Sequence, residues 1–296
     1  MTDKLQEIET ILNNYMTAGE ILSTVRKEAA EKIKVGARLF DVAEFVEQRT
    51  RELGGEPAFP CNLSRNDEAA HATPRAGDED VFGKDMVKLD LGVHVDGYIA
   101  DSAVTVDLSG NPDLVRATEE ALAAAIDTVK AGVNTAEIGA VIEDTIRGYD
   151  FKPVINLTGH GLGRYMPHVP PSIPNRHIGH GVDLEYGQAI AIEPFATDGT
   201  GKVSDGTLKE IFQFVRNKPV RMPAARRLLK DIQQYRTIPF AKRWLTSPQL
   251  DLSLMQLEKA GLVTSYPVLK EVGGGMVSQK EHTLLVTEDG CEVTTA

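Results

Sequence analysis

A chain of 296 residues can bury one large core or two small ones, and 42% hydrophobic with 25% charged residues is ordinary for a globular protein. The net charge of −11 argues against a nucleic acid or an anionic membrane as the main partner. Two cysteines, Cys61 and Cys291, are too few for a disulfide framework and read as unremarkable buried thiols. With no signal-peptide pattern and no apolar run long enough to span a bilayer, a cytosolic location is expected.

Along the chain, residues 4–53 place Ile8, Ile11, Leu12 and Tyr15 at the spacing of one helix face. Lys34-Val35-Gly36 breaks this helix, and Leu39-Phe40 restarts it. Strands are predicted around 86–92 and 97–107, joined at Asp96-Gly97, a tight-hairpin signal. Helices over 112–130 and 134–147 follow, then short strands near 188–193 and 282–287. The run Ile33-Lys34-Val35-Gly36, with Asp41-Val42 and Val46-Glu47 after it, recurs 96 residues later as Val129-Lys130-Ala131-Gly132, Glu137-Ile138 and Ile142-Glu143. Pro57 and Pro153 keep the same offset. Such a repeat implies two similar halves related by a pseudo-two-fold axis.

Residues 208–263 differ, holding eleven Lys and Arg against four acids, a net of +7 in a chain of −11. Prolines at 219, 223, 239 and 248 separate short helical runs, which suggests an inserted helical subdomain. The catalytic body is then 1–207 with 264–296. The end of the insertion, Leu254 to Val263, looks like part of a winged helix, which would point to DNA. A charge run more often marks a solvated face, and no DNA partner is expected.

Five residues stand out as ligands. Asp90 lies in Val87-Lys88-Leu89-Asp90-Leu91-Gly92, an apolar strand where a carboxylate is costly without a partner. With Asp96-Gly97 at the turn centre, Asp90 sits opposite Ala103 and diagonal to Asp101 on one face. His160 is set among Gly159, Gly161 and Gly163. Glu193 ends the apolar run Ala189-Ile190-Ala191-Ile192, and Glu281 stands between Gln279 and His282 ahead of Leu284-Leu285-Val286. Any one of these alone is more often a cap, an ion-pair partner or a satisfied core residue. Four carboxylates and one imidazole together suit two adjacent divalent transition metals.

This ordered set, with Pro57-Ala58-Phe59-Pro60, Ala69-Ala70-His71-Ala72-Thr73-Pro74, Gly159-His160-Gly161 and Ala191-Ile192-Glu193-Pro194-Phe195, resembles the methionine aminopeptidases over essentially the whole chain. The resemblance implies the pita-bread α/β (α+β) fold of peptidase family M24, whose halves are related by a pseudo-two-fold axis. The insertion between Glu193 and Glu281 resembles the type II class, in the archaeal form that has no long N-terminal extension. It further implies that two divalent ions (Co, Mn, Fe or Zn) are held by Asp90, Asp101, His160, Glu193 and Glu281, with Asp101 and Glu281 shared. His71 and His168 would face the substrate, Glu193 would carry the proton, and Phe59, Phe195, Tyr266 and Leu269 would line a methionine pocket. The implied substrate is the N-terminal Met of a nascent polypeptide with a small second residue, and the basic insertion could dock on ribosomal RNA. The family usually has Tyr after the first histidine, where this chain has Ala72, a departure at the substrate rim. The alternatives are an X-Pro peptidase of the same fold and a catalytically inactive paralogue that binds ribosomes or RNA.

Overall fold

Residues 2–296 are described by a computed structural model. Helices α1 (Thr2–Ala30) and α2 (Leu39–Glu52) turn Leu22, Val25, Ala29, Val42 and Val46 to one side, where each is almost fully buried. That side closes on a sheet of three antiparallel strands, β1 (Glu56–Arg65), β3 (Met86–Val95) and β4 (Tyr98–Asp107), in the order β1-β3-β4, while the short β2 (Glu68–Ala70) leaves for another sheet. Burying a Val or Leu side chain stabilises by about 1.5–3 kcal/mol, so this cluster is a core in its own right.

The second half repeats the plan. Helix α3 (Pro112–Thr128) begins with Pro112 in its first turn, and α4 (Thr135–Gly148) is capped by Asn134 with Glu137 reaching back to the Asn134 N–H. They cover a sheet whose strands run β15-β14-β8-β6-β7. Here β6 is Thr158–Gly163, β7 Met166–Pro174, β8 Ala189–Ile192, β14 His282–Val286 and β15 Cys291–Val293. Between these elements β5 (Lys152–Pro153), β9 (Phe195–Thr197) and β13 (Val277–Gln279) form a small sheet. The duplication is geometric as well as sequential. Helices α2 and α4 both have 14 residues. Gly36 and Gly132 both take positive φ (87° and 84°), and their N–H groups donate at 2.8 Å to Phe82 O and Leu184 O.

Of the sequence expectations, the hairpin register holds: Asp90 faces Ala103 and Gly92 faces Asp101. Cys61 is buried and free, but Cys291 is only half-buried, because β15 is an edge strand. Residues 208–214 belong to strand β10 (Val203–Phe214), since they pair with β12 (Val263–Glu271) in a long antiparallel ribbon. Between these two strands, helices α5 (Pro223–Ile232) and α6 (Leu250–Lys259) pack with the ribbon residues Phe212 and Val263 around Leu228, Ile232, Leu254 and Leu257. A two-residue strand, β11 (Phe240–Ala241), returns the chain to β10. No described helix is long and apolar enough to cross a membrane.

Glu271 ends β12 as a staple. Its carboxylate accepts from the N–H groups of Thr200, Gly201, Gly273 and Gly275 and from the Thr200 hydroxyl, tying the loop after β9 to the loop before β13. Burial alone would push the carboxyl up, but the Thr200 hydroxyl and the N–H groups of Gly275, Thr200 and Gly273 hold it down at about 2. Because the folded value lies below the ordinary one, this stabilisation is complete above about pH 4.5 and is lost as pH falls through about 2. Glu271→Gln is therefore expected to lower stability by roughly 2–3 kcal/mol at pH 7, and by progressively less in acid. Urea unfolding at pH 7 and pH 3 measures it, and equal losses at both pH values would contradict it.

Candidate metal centre and active site

The hairpin of β3 and β4 sets Asp90 and Asp101 on one face, and the second half supplies the rest. His160 comes from β6, Glu193 from the end of β8, and Glu281 from the turn between β13 and β14. Gly159 and Gly161 flank His160 because a Cβ at either would collide with the carbonyl oxygens of Ala191 or Pro170. This close approach brings His160 Nε2 to 3.8 Å from Asp101 Oδ2 and 3.6 Å from Glu193 Oε1. One ligand atom each from Asp101, His160 and Glu281 lie within 4.8 Å of one another.

The electrostatics of this cluster call for cations. Burial pushes the Asp90 carboxyl up to about 7. Burial, then the charge of Asp90, raises Asp101 well above the usual carboxylate range. Glu193 and Glu281 rise likewise, first by burial and then by their acidic neighbours, with Arg26 opposing at Glu281. Burial also drives the His160 imidazole down to about 3, so it is neutral. Its Nδ1 faces Gly161 O at 3.3 Å, an oxygen that can only accept, so Nδ1 carries the hydrogen and Nε2 offers a lone pair to the cluster. Asp90 Oδ1 and Asp101 Oδ1 are buried without any hydrogen-bond partner. Four crowded carboxylates, two orphaned oxygens and a neutral imidazole lone pair fit hard-to-borderline divalent ions, and no lysine or arginine pairs with these carboxylates among the described residues.

The supporting shell is polar and exact in its partners. The Asp101 N–H donates to Thr283 Oγ1 at 2.7 Å, and that hydroxyl donates back to Asp101 O at 2.8 Å. Ser102 Oγ donates to Glu281 O at 2.6 Å and accepts from the buried Arg26 guanidinium. Gln279 Nε2 lies 3.4 Å from both Glu193 Oε2 and Glu281 Oε2.

All the residues singled out in the sequence line one cavity of about 400 Å³: Asp90, Asp101, His160, Glu193 and Glu281 at its floor, His71 and His168 beside them, and Phe59, Phe195, Tyr266 and Leu269 as apolar wall. The His168 ring stands edge-on to that of His160 at 4.3 Å. His71 follows β2 with a left-handed backbone, φ 64°, unusual for a residue with a Cβ. Its Nδ1 faces Pro267 O at 3.2 Å, which leaves Nε2 as an acceptor, and burial lowers the imidazole to about 4. Ala72 lies outside this cavity, in a neighbouring groove with Thr73 and Arg75.

Asn62, Ile211 and Pro239 are among the lining residues that the sequence does not mark as part of the site. Asn62 faces Asp90 across the β1–β3 pair, but β1, with its two prolines, was not predicted as a strand. Ile211 and Pro239 reach the cavity from β10 and from the insertion, and no local pattern marks them.

The sequence profile described as metallopeptidase family M24 matches residues 13–288. The methionine aminopeptidase of Archaeoglobus fulgidus is 52% identical over 97% of this chain and 99% of its own length. That of Methanocaldococcus jannaschii is 50% identical over 94% and 96%. Among solved structures, the methionine aminopeptidase of Thermotoga maritima superposes with a TM-score of 0.72 at 25% identity, covering 97% of this chain and 96% of that one. With the pita-bread architecture and the acidic cage already in place, the chain belongs to metallopeptidase family M24, among its methionine aminopeptidases.

Proposed function

We propose that this protein removes the N-terminal methionine from polypeptides whose second residue is small. The observation that carries the reading is the convergence of four carboxylates and His160 at the floor of a cavity walled by Phe59, Phe195, Tyr266 and Leu269. Asp90, Asp101, His160, Glu193 and Glu281 would hold two divalent ions of the Co, Mn, Fe or Zn class. Ions held there would supply Lewis-acid chemistry, lowering the pKa of a water and polarising the scissile carbonyl.

The chain's own groups then divide the work. The aromatic and aliphatic wall takes the unbranched, polarisable Met side chain. Glu193, at the end of β8 and 3.6 Å from His160 Nε2, accepts the proton of the attacking water and delivers it to the leaving amine. His168, at the open side of the cavity beside His160, donates a hydrogen bond to the carbonyl oxygen as its negative charge grows. His71, with Nδ1 committed to Pro267 O, accepts the scissile N–H at Nε2. The reading places the reaction in the cytosol.

The test is a release assay on metal-loaded protein with Met-Ala-Ser, Met-Leu-Ser and Ala-Pro-Ser peptides. Methionine should appear from the first at least about 100-fold faster than from the second, as a steric limit beside the pocket requires. Cleavage of the X-Pro peptide instead would overturn the reading in favour of a proline-specific peptidase.

The insertion adds a second, compatible role. Lys218, Arg221, Arg226, Arg227 and Lys230 are exposed on a basic segment of an otherwise acidic chain, which favours docking on ribosomal RNA. Salt-sensitive cosedimentation with ribosomes checks it, and binding that ignores salt would count against it.

A further inference from the structure

The two halves offer an internal control on one buried acid. Glu47 of α2 and Glu143 of α4 occupy the same position in the repeat, and both are buried. In the second half the acid is served locally: Arg147, one turn on, donates to Glu143 Oε1 at 2.7 Å, and the His177 N–H donates to Oε2 at 2.6 Å. In the first half the matching Arg51 turns away to Glu56, at 3.3 Å, and to the backbone oxygen of Glu47. The Glu47 carboxylate is taken instead by the insertion. Arg243 Nη2 pairs with Oε1, and Trp244 Nε1 donates to Oε2 at 2.6 Å.

Arg243 does more than satisfy this acid. Its side chain is 2% exposed, and its Nη1 donates to Thr73 Oγ1 at 2.6 Å and to Pro74 O at 3.2 Å. Thr73 Oγ1 donates in turn to Cys61 O at 2.7 Å, and the Cys61 N–H donates to Glu47 Oε1 at 3.2 Å. One guanidinium therefore locks together the loop two residues after His71 and the strand two residues after Phe59. The left-handed backbone of His71 is sparsely populated for a residue with a Cβ, so its surroundings hold it, Pro267 O at Nδ1 on one side and the Thr73 link to Arg243 on the other.

We infer that Arg243 is a positioning residue through which the insertion holds His71 in place against the substrate. This rests on the peptidase reading above and extends it. The insertion is then part of the catalytic assembly as well as a surface for partners.

A double-mutant comparison on metal-loaded protein tests it, with Met-Ala-Ser as substrate, metal content measured and folding followed by circular dichroism. Arg243→Ala should lower kcat by about 10- to 100-fold with both metals retained, as a displaced catalytic group does. In a His71→Ala background the same change should alter kcat less than about twofold, because the group it positions is already gone. Multiplying losses, or a folded Arg243→Ala with full kcat, would overturn the inference. Should Arg243→Ala fail to fold, Thr73→Val carries the same test, since it leaves the ion pair with Glu47 in place. A kcat loss that vanishes without His71 supports the inference, and an unchanged kcat defeats it. An unmutated protein inactive on Met peptides would defeat the underlying reading, whereas an active one with a normal Arg243→Ala defeats this inference alone.

Discussion

Asp101→Asn should strip the protein of bound metal and lower its activity by on the order of 10³-fold or more, while the metal-free chain becomes more stable. The two halves of this result have one cause. Asp101 is buried and faces the charges of Asp90, Glu193 and Glu281, and one of its oxygens has no hydrogen-bond partner. Without cations its ionisation is opposed by burial and by those neighbours, so an isosteric amide relieves the metal-free fold. With cations the same carboxylate would be a ligand that a neutral amide replaces poorly. Calorimetric melting after exhaustive chelation, beside metal content and turnover after reconstitution, reads both effects. A variant that keeps its metal, or whose chelated form melts lower than the unmutated chain, would contradict the account.

His168→Ala should behave oppositely, keeping full metal content while kcat falls by roughly 10²- to 10³-fold, the usual cost of removing one donor to a developing oxyanion. The reason is placement. His168 sits on β7 beside the His160-bearing β6, its ring 4.3 Å from that of His160, on the open side of the cavity. It can reach a substrate oxygen without belonging to the acidic floor. Elemental analysis with steady-state kinetics decides it. Loss of metal would make His168 a ligand, and unchanged turnover would remove it from the reaction.

The parts of this site that were legible in the sequence are those set by local geometry. Asp96-Gly97 defines the hairpin centre, so counting back along both strands puts Asp90 opposite Ala103 and Asp101 on the same face. The glycines around His160 announce a close backbone approach, and the repeated Gly, acid and Pro spacing announces the doubled helix pair. What stayed hidden depends on partners far along the chain. Strand β1 carries Pro57 and Pro60, and β10 alternates polar residues with few apolar ones, so neither shows the period of a strand until β3 and β12 pair with it. Asn62 at the Asp90 position and the Arg243 link to Glu47 are 28 and 196 residues from their partners, beyond what spacing alone can join.

The measurement that bears most directly on the acidic cage is anomalous X-ray diffraction at the manganese or cobalt edge from crystals of the metal-loaded protein. Two adjacent peaks enclosed by Asp90, Asp101, His160, Glu193 and Glu281 are the expected result. Metal bound elsewhere on the chain, or a cage with no peak in crystals of active enzyme, would contradict it.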